Sequence, residues 1–211
     1  MKKDLSSIRK DYLKGSISVS SMPENPLDAL QQWVNQAIES EVEEPTAMNI
    51  ATISPENFPT SRVVLLKEIV SEGLVFFTNY GSTKGKNIEF NPNVAVNFFW
   101  PALERQVRVH CVANKISPEN SDAYFYSRPI ASQAGAIVSQ QSVEIDQHAD
   151  LEMLVKTLIE NGEALKRPEN WGGYLLKPLY FEFWHGRASR IHDRVAYSLE
   201  NSIWVKKRLS P

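Results

Sequence analysis

The stretch MNIATISPENFPTSRVVLL, residues 48 to 66, decides which fold class the sequence indicates. Its two ends, 48–53 and 62–66, are short runs of apolar and β-branched residues. Between them stands the turn-forming tetrapeptide Ser54-Pro55-Glu56-Asn57. Short β-rich runs bounded by such turns are typical of strands.

Similar runs recur along the chain, at 74–78, 94–99, 106–116, 180–184, 190–197 and 203–207. Many short strands at this spacing predict a closed or nearly closed antiparallel barrel. Helical patterns interrupt the strands near residue 26 and at 82–90, 117–126 and 150–161. We therefore expect a mainly β chain, α+β overall, in which helices flank the barrel.

Composition indicates one globular domain. The chain has 211 residues, 42% of them hydrophobic and 23% charged, which is typical of a protein with a packed core. Residues 1–24 are polar and rich in serine, so we expect a mobile N-terminal arm before a single domain over residues 25–211.

Charge and cysteine content exclude several classes of function. The net charge of −2 gives no general basic field for nucleic acid or an anionic membrane. The single cysteine, Cys111, lies in an apolar run and is expected to be a buried, inert thiol. We expect no metal site, no membrane span and a cytoplasmic location.

Three stretches place cations beside hydroxyl groups, and each has two interpretations. Arg62 and Lys67 bracket four apolar residues. They are either the charged ends of a buried strand or cations that line a site. Lys84 follows a strand at the start of a helix, which is either a phosphate seat or an ordinary solvated helix start. Tyr124 and Arg128 share a helix face just before Ser132. The three side chains either donate hydrogen bonds to a phosphate or belong to an ordinary helix C-terminus, where arginine is common.

Two later segments are also polar. Gln141 and Ser142 lie in a patch that is either a plain loop or a set of hydrogen-bonding partners for a flavin. Strand alternation would place Arg190, His192 and Arg194 on one face. Such a face suits an anion better than a core, and a solvated edge strand is the alternative.

Taken in order, these segments resemble the pyridoxine/pyridoxamine 5′-phosphate oxidase family over nearly the whole chain. The motifs that carry the resemblance are Pro45-Thr46-Ala47-Met48, Arg62 to Lys67, Leu103-Glu104-Arg105-Gln106-Val107, Tyr124 to Ser132, Trp171-Gly172-Gly173, Arg190 to Arg194 and Arg208-Leu209-Ser210-Pro211. The resemblance implies an antiparallel split β-barrel, a homodimer and FMN at the subunit interface. It also implies oxidation of pyridoxine 5′-phosphate or pyridoxamine 5′-phosphate by O₂ to pyridoxal 5′-phosphate, releasing hydrogen peroxide, and ammonia from the amine.

The resemblance also assigns site residues. The FMN-binding set would be Arg62, Val63, Val64, Leu65, Leu66, Lys67, Phe77, Thr78, Thr83, Lys84, Gln106, Gln141, Ser142, Trp184 and Arg194. The substrate-binding set would be Arg9, Tyr12, Lys67, Tyr124, Arg128, Ser132, Arg190 and His192, of which Arg190 and His192 would be catalytic.

One position departs from the family pattern. Thr83 stands where the family usually has arginine, so we expect weaker retention of FMN. Two other functions stay open on the sequence: a split-barrel flavin reductase that uses NAD(P)H, and a non-catalytic module that stores FMN or pyridoxal phosphate.

Overall fold

The computed structural model describes residues 4–6, 11–145, 148–162 and 164–211, without the side chains of residues 148 and 149. Within these residues, the chain forms nine strands and five α-helices. The strands are β1 (Ala47–Ile53), β2 (Pro59–Leu65), β3 (Glu68–Val70), β4 (Gly73–Asn79), β5 (Asn93–Trp100), β6 (Arg105–Lys115), β7 (Trp171–His185), β8 (Asp193–Glu200) and β9 (Ile203–Arg208). The helices are α1 (Pro26–Glu39), α2 (Thr83–Phe90), α3 (Pro118–Ser127), α4 (Ile130–Val138) and α5 (His148–Glu160).

The strands form one hydrogen-bonded sheet in the order β2-β1-β5-β6-β7-β4-β3, and β8 and β9 continue from β7. The 15-residue strand β7 pairs antiparallel with β4 through its first part and with β8 through its last part. This register sets Phe77 opposite Gly173, and Trp184 opposite Arg194.

The chain groups into two compact units. One contains residues 1–48, 96–110 and 179–211, and the other contains residues 49–95 and 111–178. They are called here the first and the second unit. The single domain expected over residues 25–211 stays a prediction.

The second unit positions α2 by a close contact between backbones. Its core includes Phe76 and Tyr174, which are stacked with ring centroids 5.6 Å apart. Ser82 caps the helix because its side chain accepts a hydrogen bond from the N–H of Gly85. A Cβ at Gly85 would lie 2.1 Å from the carbonyl oxygen of Tyr80, so only glycine fits there. The first turn of α2 is therefore fixed beside the end of β4.

The first unit packs α1 on aromatic rings. Trp33 meets Phe183 edge to face, at a centroid distance of 5.1 Å. Such contacts stabilise a core beyond the area they bury. Asn25 caps the helix, and Pro26 occupies its first turn, as helix starts favour.

Residues 12–14 contact more distant parts of the first unit. The buried Glu104 carboxylate accepts the N–H groups of Leu13 and Lys14 at 2.8 and 2.9 Å. Its carbonyl oxygen accepts the N–H of Gly186 at 2.8 Å. Gly186 in turn has no room for a Cβ, which would lie 2.6 Å from the Tyr12 ring.

Two elements differ from the sequence expectations. The helix α4 was not expected, since the proline at position 129 suggested a break in the chain. The carbonyl oxygen of this proline instead accepts hydrogen bonds from N–H groups in the first turn of α4. The strand expected over 190–197 begins only at Asp193, because Ser189 and Arg190 adopt left-handed φ angles of 57° and 60°. The prediction that alternation places Arg190 and His192 on a strand face with Arg194 was therefore wrong.

None of the helices in the described ranges is both long and apolar enough to cross a bilayer.

Candidate active site

The second unit contains a cavity of about 1090 Å³. Its lining includes most of the residues expected to bind FMN and the substrate phosphate. These are Arg62, Val63, Val64, Leu65, Lys67, Phe77, Thr78, Thr83, Lys84, Tyr124, Arg128, Ser132, Gln141 and Ser142. Leu66 was also expected to contact the flavin, but its side chain is buried and is not part of this lining.

Lys84 is the most deeply buried cation on this lining, at 8% exposure. Its ammonium nitrogen donates to the side-chain oxygens of Thr78 and Gln141, both at 2.9 Å. Burial, and next the positive charge of Arg62, lower the pKa of Lys84 to about 8. Within the described residues no carboxylate pairs with Lys84 or Arg62, so this part of the cavity favours an anion.

The start of α2 adds backbone donors to the same region. The N–H of Thr83 donates to the Ser142 hydroxyl at 3.3 Å. The Asn79 amide holds the carbonyl oxygen of Ser139 at 3.4 Å. The loop from 139 to 142 is thus attached to the helix start, whose partial positive charge favours a phosphate.

A second cationic region lies at the C-terminal end of α3. The Tyr124 ring stacks on Phe77 at a centroid distance of 3.8 Å. The Arg128 guanidinium lies 4.8 Å from the centre of the Trp171 ring. One of its nitrogens, Nη1, is buried and has no hydrogen-bond partner among the described residues. A buried donor of this kind is costly unless a ligand accepts from it.

In this second region, Tyr124 and Arg128 do not share a helix face as predicted. α3 ends at Ser127, and Arg128 has an extended backbone with φ −79° and ψ 153°. The lining nevertheless includes Tyr124, Arg128 and Ser132 together. They meet because α4 begins directly after the chain turns at Pro129.

The remaining expected residues that the structure describes lie in the first unit and are not part of this lining. They are Tyr12, Gln106, Trp184, Arg190, His192 and Arg194. His192 forms a cluster with two aromatic rings, at centroid distances of 4.7 Å from Trp184 and 5.7 Å from Tyr12. Arg190 is exposed, and Gln106 is half-buried. Arg9 lies outside the described residues.

Arg194 is held by an acid that the sequence reasoning missed. Glu182 is 2% exposed and accepts from Nε and Nη2 of Arg194 at 3.0 and 2.9 Å. Arg108 donates to the same carboxylate. Burial favours the neutral acid, but the hydrogen bonds from Arg194 and Arg108 outweigh it and lower the pKa of Glu182. A lone acid within the apolar run Phe181-Glu182-Phe183-Trp184 was the available signal.

The cavity fits a phosphorylated ring compound such as a flavin mononucleotide. Among the described residues, Lys84 and Arg62 have no carboxylate partner and Arg128 leaves a buried donor open. The same lining includes aromatic and aliphatic side chains such as Phe77, Trp171 and Val64. Its volume is at the upper end for small-molecule sites. The donor set therefore suits two anionic groups and flat apolar rings.

Comparison with known families fits this geometry. Residues 34–160 match the model of the pyridoxamine 5′-phosphate oxidase family. The chain belongs to this family. Residues 171–211 match a second model, the pyridoxine 5′-phosphate oxidase C-terminal dimerisation region.

Family members with curated names are similar over their full length. The pyridoxine/pyridoxamine 5′-phosphate oxidase of Actinobacillus succinogenes is 49% identical over 209 residues, covering 99% of this chain and 100% of the relative. The enzyme of the same name from Haemophilus influenzae is 49% identical over 210 residues, with coverage of 99% and 100%.

Solved structures of related proteins confirm the fold class, a mainly β chain with an antiparallel split barrel flanked by helices. PhzG from Burkholderia lata, in complex with tetrahydrophenazine-1-carboxylic acid, has a TM-score of 0.88 at 27% identity, covering 92% of this chain and 96% of its own. An FMN-binding protein from Nostoc punctiforme related to pyridoxamine 5′-phosphate oxidase has a TM-score of 0.71 at 17% identity, covering 90% and 100%. At that identity the second structure bears on the fold alone.

Proposed function

We propose that this chain is an oxidase of pyridoxine 5′-phosphate and pyridoxamine 5′-phosphate that uses FMN and O₂. The products are pyridoxal 5′-phosphate and hydrogen peroxide, with ammonia released from the amine. The observation that carries the proposal is one cavity with two separate sets of phosphate donors, one around Lys84 and one around Arg128. Full-length similarity to enzymes of that name supports the choice of substrate.

The region around Lys84 binds the FMN phosphate. Arg62, Lys84 and the N–H groups at the start of α2 are its donors, and Val63, Val64 and Leu65 follow the ring system. FMN supplies the hydride acceptor and the reaction with O₂, which side chains alone cannot provide.

The region around Arg128 binds the substrate phosphate. The open Nη1 of Arg128, the hydroxyls of Tyr124 and Ser132, and the Lys67 ammonium are the donors. Anchoring the substrate at its phosphate fixes the distance between its reacting carbon and the flavin ring. Such positioning removes much of the entropic cost of reaction.

Arg190 and His192 act at the reacting end of the substrate. His192 Nδ1 accepts the N–H of Arg187 at 3.1 Å. A neutral ring that accepts at Nδ1 carries its proton on Nε2, so the nitrogen left for the substrate is a donor that can hold its hydroxyl or amine group.

The working unit is a homodimer. Trp184, Arg190, His192 and Arg194 fall within the matched dimerisation region and outside the cavity lining of their own chain. These residues and Gln106 complete the flavin site from the subunit interface, and Tyr12 and Arg9 cover the substrate. A cytoplasmic location is part of the same proposal, supported by the buried free thiol of Cys111.

An absorbance spectrum of the purified protein tests this function. We expect flavin bands that bleach when pyridoxine 5′-phosphate is added without oxygen, and that return with peroxide when air is admitted. Bleaching by NADPH but not by pyridoxine 5′-phosphate would instead identify a flavin reductase. A coloured protein that neither substrate bleaches would identify a storage module.

A further inference from the structure

We infer that Thr52, Thr60 and Asn87 are positioning residues that turn one edge of the Arg62 guanidinium toward the flavin phosphate. The inference rests on the proposed function, since it concerns how the chain prepares a cation for that phosphate. None of the three residues lines the cavity. Their effect on the ligand therefore passes through Arg62.

The guanidinium is held by neutral oxygens at short distances. Nη1 of Arg62 donates to the Thr52 hydroxyl at 2.8 Å, to the Thr60 carbonyl at 3.2 Å and to the Ile50 carbonyl at 3.4 Å. Nη2 donates to the Thr60 hydroxyl at 2.8 Å. The two hydroxyl oxygens lie 3.2 Å apart, close enough for one guanidinium to donate to both.

Asn87 fixes the two threonines from the other side. Its side-chain amide nitrogen donates to the hydroxyl oxygen of Thr52 and to that of Thr60, both at 3.0 Å. A hydroxyl oxygen has two lone pairs, and here Arg62 and Asn87 each use one on each threonine. The hydroxyls are thus held as acceptors for the cation.

This arrangement leaves a defined part of Arg62 available. A guanidinium has five N–H groups. Both on Nη1 and one on Nη2 are directed at the oxygens of Thr52, Thr60 and Ile50. The N–H of Nε and the other N–H of Nη2 share the opposite edge, and no described residue accepts from them. That edge is the fork that binds two oxygens of a phosphate side by side.

Neutral acceptors suit this task better than a carboxylate. An acid would also hold the guanidinium, but its charge would cancel the attraction for a phosphate. Among the described residues no acid pairs with Arg62, so it keeps its full charge, and that charge contributes to the lowered pKa of Lys84. The two cations therefore repel each other until an anion binds between them.

Helix α2 links the two cations. Lys84 lies in its first turn, and Asn87 lies three residues later on the same helix. Asn87 is 3% exposed and Thr52 is fully buried, so this network is a fixed part of the second unit. The helix α2 thus carries both Lys84, which binds the phosphate, and Asn87, which helps to orient Arg62.

Flavin-binding titrations of flavin-depleted, full-length protein test the inference, using quenching of flavin fluorescence. Riboflavin, which lacks the phosphate, is the comparison ligand. In Thr60→Val we expect the FMN dissociation constant to rise about tenfold, as for loss of a hydrogen bond to a charged group. The riboflavin constant should stay at the wild-type value, which also shows that the site is folded.

Two further variants separate positioning from a general effect. Thr60→Ser keeps the hydroxyl and should restore most of the FMN affinity. Thr157→Val makes the same replacement at an exposed threonine of α5 and should change neither constant. Unchanged FMN affinity in Thr60→Val, or equal losses for both ligands, would overturn the inference. If wild-type protein bound no FMN at all, the proposed function would fail instead.

Discussion

The ammonium nitrogen of Lys84 lies 2.9 Å from the hydroxyl oxygen of Thr78, and its other acceptors, Ser82 and Gln141, are also neutral. None of these acceptors compensates the charge of the lysine. Burial and the nearby Arg62 accordingly lower its pKa to about 8, against an ordinary value of 10.5. Lys84 in the free protein therefore changes its charge at mildly alkaline pH.

FMN binding should weaken as the pH rises above 8. The phosphate favours the protonated lysine and raises its pKa in the complex, so binding above pH 8 must take up a proton. The FMN dissociation constant is then expected to rise by up to about tenfold per pH unit over this range. Fluorescence titrations at pH 7, 8 and 9 measure it. In Lys84→Gln binding should be weaker and independent of pH, and a flat wild-type profile would contradict the assignment.

Thr83→Arg should tighten FMN binding. Thr83 is exposed at the first position of α2 and lines the cavity, so an arginine there can reach the phosphate with two donors. We expect the dissociation constant to fall about tenfold. Thr83→Ser, which keeps a single hydroxyl, is the matched control. A wild-type constant that is already tight and is unchanged by the arginine would show that this departure from the family pattern has no effect.

Arg190→Met should lower turnover strongly and leave FMN bound. The side chain is exposed in the turn before β8 and belongs to the proposed catalytic pair. Loss of one such group typically lowers the rate by about 100-fold or more. Peroxide production gives turnover, and the flavin absorbance of the same sample gives FMN content.

Arg187→Met is the control for that change, because it removes a cation from the same turn. Arg187 pairs with Asp193 at 3.3 Å, so a small loss of stability is expected without loss of turnover. Near-normal turnover in Arg190→Met would remove this arginine from the reaction.

Glu182→Gln should destabilise the protein at neutral pH and not in acid. The pKa of Glu182 is lowered in the folded state, so its carboxylate stabilises the fold above the unfolded value of 4.5. That contribution is lost as the pH falls through the folded pKa. Urea unfolding at pH 7 should show a loss of about 2 kcal/mol, shrinking below pH 4.5. Glu200→Gln, at an exposed glutamate, should change stability little at either pH.

Local sequence signals predicted the elements that carry Lys84. Ser82 and the following lysines indicated a helix start, and α2 begins at Thr83 with Ser82 as its cap. The strand β2 and the buried Cys111 were likewise expected, and burial raises the pKa of that thiol to about 12. These features depend on neighbours in sequence.

Features that depend on distant partners were not predictable. Thr52, Thr60 and Asn87 are ordinary residues in the sequence, and only the pairing of β1, β2 and α2 brings them to Arg62. The turn before β8 requires left-handed backbone at Ser189 and Arg190, which strand alternation does not reveal. Which expected residues share the cavity also depended on the fold, since the lining contains Lys84 and Arg128 but not Arg194.

The hydrogen bonds from Leu13 and Lys14 to Glu104 affect how the activity of N-terminally truncated forms is interpreted. Deleting residues 1–14 would take two donors from a carboxylate that is only 3% exposed. Removing partners from a buried charged group costs about 1–3 kcal/mol or more. Reduced activity after this deletion could therefore result from lower stability or from loss of the residues that cover the substrate. A single replacement such as Tyr12→Ala, which keeps the hydrogen bonds to Glu104, would separate the two causes.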